Sequence, residues 1–168
     1  MENVVQLKVA RRVAERIWAI NKYEIMAKGY DQYKEVSKSF HSLDSFTRME
    51  AIYFQINEIL CLPYKKGAVI TTLEHIWGYF KKIATAEEKE AFFQALESCK
   101  LLDCLSFDNF PREFSQCRSV LLSLLDKYPN SYLQMSRFLH SDRPWNEVIV
   151  RSRNFVWKDG VVYIGENN

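Results

Sequence analysis

The segment that decides the fold reads Leu73-Glu74-His75-Ile76-Trp77-Gly78-Tyr79-Phe80-Lys81-Lys82. Apolar residues in and around it recur at helical spacing and predict the buried face of a central helix: Ile70, Leu73, Ile76, Trp77, Phe80 and Ile83. His75, Tyr79 and Lys82 lie at i, i+4 and i+7, so this helix would carry a stripe of an imidazole, a phenol and an ammonium group. Gly78 costs a helix about 1 kcal/mol relative to alanine. We therefore expect a close helix crossing at Gly78 rather than an active-site contact.

Six or seven helices with short connections are predicted, which is typical of a helical bundle. The first would run from Asn3 to Lys28 and end at Gly29, with Val9 among the residues on its core face. A second helix is predicted from Tyr30 to Phe40.

Capping and proline signals mark the other helix ends. The stretches Thr47-x-x-Glu50 and Thr85-x-x-Glu88 are capping boxes, in which each side chain binds a free backbone N–H at the start of a helix. Lys65-Lys66-Gly67 is predicted to be a basic loop before the central helix. Pro111 suits a first helical turn, and a last helix is predicted from Ser131 to His140.

The C-terminal residues have a different pattern. Val148–Val150, Asn154–Trp157 and Val161–Ile164 are rich in β-forming residues, and Asp159-Gly160 is a strong signal for a two-residue hairpin turn. Such a turn would pair Trp157 with Val162 and Phe155 with Ile164, which gives the hairpin one apolar face. We therefore predict a mainly α, single-domain bundle over residues 1–145, with a C-terminal β-hairpin extension over residues 146–168 packed on the same domain.

Three groups of residues share the motifs of a known family. The first lies in and after the central helix: His75, Gly78, Tyr79, Lys81, Lys82, Glu88 and Lys89. The second is Lys22-Tyr23-Glu24-Ile25-Met26-Ala27 with Tyr30 and Tyr33, and the third is Tyr132-Leu133 with Phe138-Leu139. Over about residues 15–140, the chain resembles the YbgA-like domain family. These are small bacterial domains of unassigned function, which occur alone or fused behind a desulfidase domain that acts on thiolated uracil or thiouridine.

The chain departs from the family pattern at several positions where relatives carry polar groups. Asn21 and Lys28 stand where histidines usually flank the second motif, Val69 and Thr71 replace a His-x-Asn pair, and Ser136 replaces a glutamine. If those groups contact a ligand in relatives, this chain binds it differently or not at all. The resemblance also implies that any desulfurising chemistry would come from a separate desulfidase, because nothing here resembles that iron-sulfur domain.

Length, composition and missing motifs argue against several classes of protein. A chain of 168 residues suits one domain with its own core. No stretch reaches the roughly 20 apolar residues of a membrane span, and the N-terminus has no signal-peptide core, so we predict a cytoplasmic protein. The sequence has four cysteines without metal-ligand spacing: Cys61, Cys99, Cys104 and Cys117. Most of them lie among apolar neighbours, which is typical of buried thiols, and we predict neither a metal nor a cofactor. Gly-rich phosphate loops and nucleophile elbows are absent from the sequence, and no catalytic residue is assigned.

The charge is unevenly distributed along the chain. Residues 1–82 carry 13 Lys and Arg against 9 Asp and Glu, a net charge of +4, whereas residues 83–168 carry 10 against 12, a net charge of −2. Interleaved cations and aromatic rings are what recognition of looped or single-stranded RNA requires. The leading hypothesis is therefore a non-catalytic helical module that binds RNA, most plausibly tRNA, through these candidates: Lys22, Tyr23, Lys65, Lys66, His75, Tyr79, Lys81 and Lys82.

Two other functions agree with the same sequence. The first is an enzyme or small-molecule sensor with a pocket beside the central helix, lined by His75, Trp77, Tyr79 and Tyr23. The second is a protein-interaction domain in which the C-terminal hairpin docks a desulfidase or another partner along an exposed strand edge.

Overall fold

The computed structural model describes residues 5–166, and these form a mainly α fold with β elements at the C-terminus, as predicted. Within the described residues the order of elements is α1 Leu7–Lys28, α2 Tyr30–His41, α3 Phe46–Leu60, β1 Tyr64–Lys65, α4 Lys66–Trp77, α5 Ala86–Leu101, β2 Ser106–Phe107, α6 Arg112–Lys127, α7 Ser131–Gln134, β3 Glu147–Val150, β4 Arg153–Lys158 and β5 Val161–Ile164. None of the helices in this part of the chain is long and apolar enough to cross a membrane. The predicted start of α1 at Asn3 lies outside the described residues.

Helix α1 is shared by two hydrophobic cores. Its C-terminal part contributes Tyr23, Met26 and Ala27 to a core with α4, α5, α6 and α7. Its N-terminal part contributes Val13 and Ile17, among others, to a second core with α2, α3 and the C-terminal sheet. Both cores therefore depend on one helix that is buried on several sides.

The C-terminal sheet is antiparallel with the order β3-β4-β5. The predicted turn at Asp159-Gly160 is confirmed, and so is the register, with Trp157 opposite Val162 and Phe155 opposite Ile164. The prediction of a two-stranded hairpin was incomplete, because β3 pairs with the free edge of β4. Trp157 is fully buried, and its ring lies 5.5 Å from that of Tyr53 on α3. The apolar face of the sheet thus packs on the helices of this chain.

Helix α5 begins as predicted, whereas α3 does not. The Thr85 hydroxyl accepts the Glu88 backbone N–H at 3.2 Å, and the Glu88 carboxylate accepts the Thr85 N–H at 2.9 Å, which completes the capping box. Helix α3 is capped instead by Ser45, whose hydroxyl accepts the Arg48 N–H. The capping box at Thr47 was wrong because Ser45 supplies an equivalent acceptor two residues earlier, where the backbone is still extended.

The central helix is shorter than predicted at its C-terminal end. Helix α4 ends at Trp77, with Gly78 as its C-cap, and Phe80 donates to the Trp77 carbonyl in a tighter turn. Tyr79 and Lys82 therefore lie on a turn segment after α4, and the stripe with His75 is not a stripe of one helix. The three atoms nearest to a Cβ added at Gly78 are backbone atoms of α4 itself, and Gly78 is exposed, so no other helix crosses closely there among the described residues.

Three smaller predictions also fail. Lys65-Lys66-Gly67 is not a loop, because β1 pairs with β2 and α4 begins at Lys66. Val9 is 38% exposed and faces a surface groove rather than the core. Helix α7 ends at Gln134 instead of His140, since Arg137 donates its backbone N–H to the Ile20 carbonyl of α1 and the chain leaves helical geometry.

The turn at Gly160 generates a prediction of stability. Gly160 has a φ of 82°, and a Cβ at this position would lie 2.6 Å from the Cα of Glu50 in α3. Gly160→Ala would strain the backbone and push the sheet off α3, so we expect a loss of about 2 kcal/mol or more in the free energy of unfolding. Gly67→Ala is the control, because its added Cβ would meet no described atom within 4 Å outside the neighbouring backbone of its own helix, and the change favours helix α4. Urea unfolding measures both; an unchanged midpoint for Gly160→Ala would contradict the close packing.

Candidate functional site

Four tyrosines gather where α1, α2, α7 and the turn after α4 meet. We call Tyr23, Tyr33, Tyr79 and Tyr132 the tyrosine cluster. The Tyr23 hydroxyl donates to the Tyr79 hydroxyl at 3.2 Å. The rings of Tyr79 and Tyr132 are nearly parallel, 17° apart with centroids at 6.3 Å, and Tyr132 meets Tyr23 edge-on at the same distance. Tyr23 is 4% exposed and Tyr79 is 41% exposed. A buried phenol thus orients an exposed ring.

Burial raises the pKa of two phenols in this cluster, Tyr23 and Tyr132. Removal from water raises the pKa of Tyr132 to about 12, and the neighbouring Tyr79 adds to this effect. Burial raises the pKa of Tyr23 further, together with its hydrogen bond to Tyr79. The phenols of Tyr23 and Tyr132 therefore hold their protons near neutral pH and add no negative charge to the cluster.

Cations and further rings extend the cluster across the surface. The Lys22 ammonium lies 5.6 Å from the ring centroids of both Tyr23 and Tyr33. Tyr30 packs on Tyr33 at 5.6 Å and on the exposed ring of His75 at 6.3 Å. These contacts connect Lys22, Tyr79 and His75 across one surface above the buried Tyr23, although the residues come from α1, α4 and the turn after α4.

The predicted lysines have different surroundings. Lys81 and Lys82 are exposed on the turn that carries Tyr79, and Lys65 is exposed on β1. The Lys66 ammonium is engaged at the end of α5, where it donates to the carbonyl oxygens of Lys100, at 2.6 Å, and Leu102. Lys66 therefore stabilises a helix C-terminus, a position that favours cations.

The space beside the central helix, where a pocket was predicted, is filled by core side chains. Trp77 stacks on Phe92 with centroids 4.7 Å apart and an angle of 7°, inside the core. A cavity of about 320 Å³ opens on the other side, between Tyr79 and the loop at Tyr128, and neither Trp77 nor His75 lines it. This cavity borders the tyrosine cluster rather than α4.

A large groove lies between α1 and the β3–β4 turn. Its volume is about 1040 Å³, and we call it the arginine groove after Arg12, Arg16, Arg151 and Arg153, which line it. Tyr132 lines the same groove and thereby connects it to the tyrosine cluster. Among residues 5–166, none of these four guanidinium groups makes an ion pair or a side-chain hydrogen bond.

Sequence reasoning missed the arginine groove because it divided charge by halves of the chain. Arg151 and Arg153 belong to the acidic half, yet the fold places them opposite Arg12 and Arg16 of the basic half. Two local signals were present. Arg12 and Arg16 are spaced i and i+4 on one face of a helix, and Arg151-Ser152-Arg153 places two arginines around a turn.

Most departures from the family pattern lie inside the protein. Lys28 is 6% exposed, with its ammonium 3.6 Å from the ring centroid of Tyr64. Burial lowers the pKa of Lys28, and the nearby Glu24 carboxylate, which accepts the Tyr64 hydroxyl, opposes this effect. Asn21 is buried and donates to the backbone oxygens of Ile17 and Trp145. The residues at positions 21 and 28 therefore hold α1 to its neighbours.

The other three positions that depart from the family pattern are Val69, Thr71 and Ser136. Val69 and Ser136 are buried, and the Thr71 hydroxyl donates to the Gly67 carbonyl within α4. The buried Ser136 hydroxyl has no hydrogen-bond partner among the described residues, and none of the three residues belongs to the tyrosine cluster.

Comparison with known proteins identifies the family. A family model described as "Protein of unknown function (DUF1722)" matches residues 22–142, which is most of the chain. This is the family to which YbgA-like proteins belong, so the resemblance read from the motifs is confirmed. No curated protein and no solved structure matches the chain.

The raised pKa of Tyr132 predicts a loss of stability in alkali. Its pKa of about 12 lies above the ordinary value of 10.0, so the folded state holds the phenol proton more tightly than the unfolded state. The resulting stabilisation is complete below pH 10 and disappears as the pH rises through 12. Between about pH 8 and pH 11, wild type should therefore lose about 1 kcal/mol more than Tyr132→Phe in urea unfolding. Equal losses would show that Tyr132 titrates normally.

Proposed function

The chain belongs to the DUF1722 family, and we propose that it is a non-catalytic module that binds looped or single-stranded RNA, with tRNA as the first candidate. The tyrosine cluster is the base-binding surface. Lys22 and the exposed Lys81 and Lys82 attract the phosphates around it. In this proposal the protein works in the cytoplasm, and a separate desulfidase would supply any chemistry on the bound RNA.

One observation carries the proposal: an exposed aromatic ring is held in a fixed orientation. Tyr79 is tied to the buried Tyr23 hydroxyl and backed by Tyr132, so its ring loses little freedom when a base stacks on it. Stacking of a base on such a ring contributes about 1 to 3 kcal/mol and tolerates any base, because every base has an aromatic face. The nearby Lys22 adds a cation that favours phosphate.

Two considerations favour RNA with unpaired bases. A duplex hides the faces of its bases, so an isolated aromatic surface suits loops, bulges and single strands, whose bases are free to stack. The resemblance to domains fused to thiouridine-acting enzymes implies a substrate that contains uridine. Together these features favour an RNA loop over a duplex.

Binding of a fluorescein-labelled RNA loop, followed by anisotropy at low salt, tests the proposal. Tyr79→Ala removes the exposed ring and should weaken binding about tenfold, which corresponds to one lost stacking contact. Tyr163→Ala is the matched control, because Tyr163 lies on β5 and outside the tyrosine cluster. Affinity of the wild type should also fall steeply with salt, since counterions are released on binding.

Two results would contradict the proposal. The first is no change in anisotropy at micromolar protein and about 50 mM salt, where electrostatic binding is strong. The second is an equal loss of affinity in Tyr79→Ala and Tyr163→Ala, which would show that the effect is not specific to the tyrosine cluster.

A further inference from the structure

We propose that the arginine groove carries the ribose-phosphate backbone of the same RNA strand whose bases stack on the tyrosine cluster, with Arg12, Arg16, Arg151 and Arg153 contacting consecutive phosphates. This inference rests on the proposed function and extends it, because it assigns a second, phosphate-binding part of the site. It also predicts that the bound strand is longer than the tyrosine cluster alone can hold.

The charges of the groove favour a polyanion. Four guanidinium groups face one groove, and none is neutralised by an acidic residue among residues 5–166. Glu15 also lines the groove, but its carboxylate is paired with Arg11 at 3.0 Å. Like charges held together repel each other, and an anion that enters the groove removes this repulsion. One guanidinium group can donate two parallel hydrogen bonds to two oxygens of a phosphate, which suits a repeating phosphate backbone.

The β3–β4 turn holds one of the four arginines, Arg151, in a strained backbone conformation. Arg151 has a φ of 50° and Ser152 a φ of 63°, so both occupy the left-handed region that Asn-Gly adopts with less strain. This turn places Arg151 and Arg153 on one wall of the groove. Residues held in strained backbone conformations cluster at functional sites.

The shape of the surface favours a strand over other anions. Tyr132 lines the groove and stacks on Tyr79, so a strand can pass directly from one part of the site to the other. Along α1, Arg12 and Tyr23 are 11 positions apart, which corresponds to about 16 Å of helix. A mononucleotide would not span both parts, and a flat membrane surface would not enter a groove.

The experiment compares oligouridylates of about four and about twelve nucleotides, the range of known single-strand sites. The shorter oligomer fits the tyrosine cluster alone, whereas the longer one also enters the groove. Arg12→Ala/Arg151→Ala should weaken binding of the longer oligomer at least tenfold. It should also make the plot of log affinity against log salt concentration less steep by about 1.4, because each lost phosphate contact lowers this salt slope by about 0.7. Binding of the shorter oligomer should stay within about twofold of wild type. Arg112→Ala/Lys158→Ala is the charge-matched control, because both residues are exposed outside the groove.

The outcomes separate the two proposals. If wild type binds neither oligomer, the proposed function fails and this inference falls with it. If wild type binds both, and the groove variant keeps the affinity and salt slope of the control for the longer oligomer, only the inference is overturned. Displacement of the longer oligomer by UMP at a similar concentration, or by phosphatidylglycerol vesicles, would also overturn it, because the groove would then serve a small ligand or a membrane.

The turn supplies a second test that does not depend on a destabilising change. Arg151→Asn/Ser152→Gly introduces the preferred turn residues and removes one guanidinium, so the melting temperature should rise while affinity for the longer oligomer falls. Ser152→Gly alone should raise the melting temperature and leave that affinity unchanged. Equal affinity in both variants would show that Arg151 does not contact the RNA.

Discussion

The packing of α1 against both cores is the constraint on which the rest of the structure depends. Residues 23–29 are buried without interruption, so even polar side chains in this stretch must find partners inside the protein. Glu24 accepts the hydroxyl of Tyr64, whose ring also lies against the ammonium of Lys28. Because unpaired buried polar groups are costly, these contacts orient α1 relative to β1 and fix the helix in one position between the cores.

Short sequence motifs correctly predicted a turn and a helix start that depend only on residues a few positions apart. The Asp159-Gly160 turn specifies which residues of β4 and β5 face each other, and Thr85 caps α5 through groups three residues away. The end of α4 was missed because the apolar spacing continues through Phe80 and Ile83. Phe80 is buried by tertiary packing after the helix has ended, and Ile83 is exposed. Periodicity reports burial, and it does not distinguish a helix from a turn that buries the same side chain.

Only part of the candidate site was predicted, because some of its contacts join residues that are far apart in the sequence. Lys22, Tyr23, Tyr79 and His75 were selected as an aromatic and cationic group, and the structure brings Lys22, Tyr79 and His75 onto one surface with Tyr23 buried beneath them. Tyr132 entered only as a motif match, because its role depends on contacts with residues more than 50 positions away in the chain. Contacts between residues so far apart in the sequence are visible only in the folded structure. The net charge of each half of the chain likewise does not predict the arginine groove, because both halves contribute residues to it.

The position of the proposed binding surface follows from α1. One end of this helix supplies Arg12 and Arg16 to the groove, and the other supplies Lys22 and Tyr23 to the tyrosine cluster. A buried helix packed in two cores does not bend easily, so the separation between the arginine groove and the tyrosine cluster is set before any ligand arrives. Preorganisation of this kind lowers the entropy lost on binding. A surface of this length, with cations at one end and oriented rings at the other, matches the alternating chemistry of a nucleic acid strand better than that of a compact ligand.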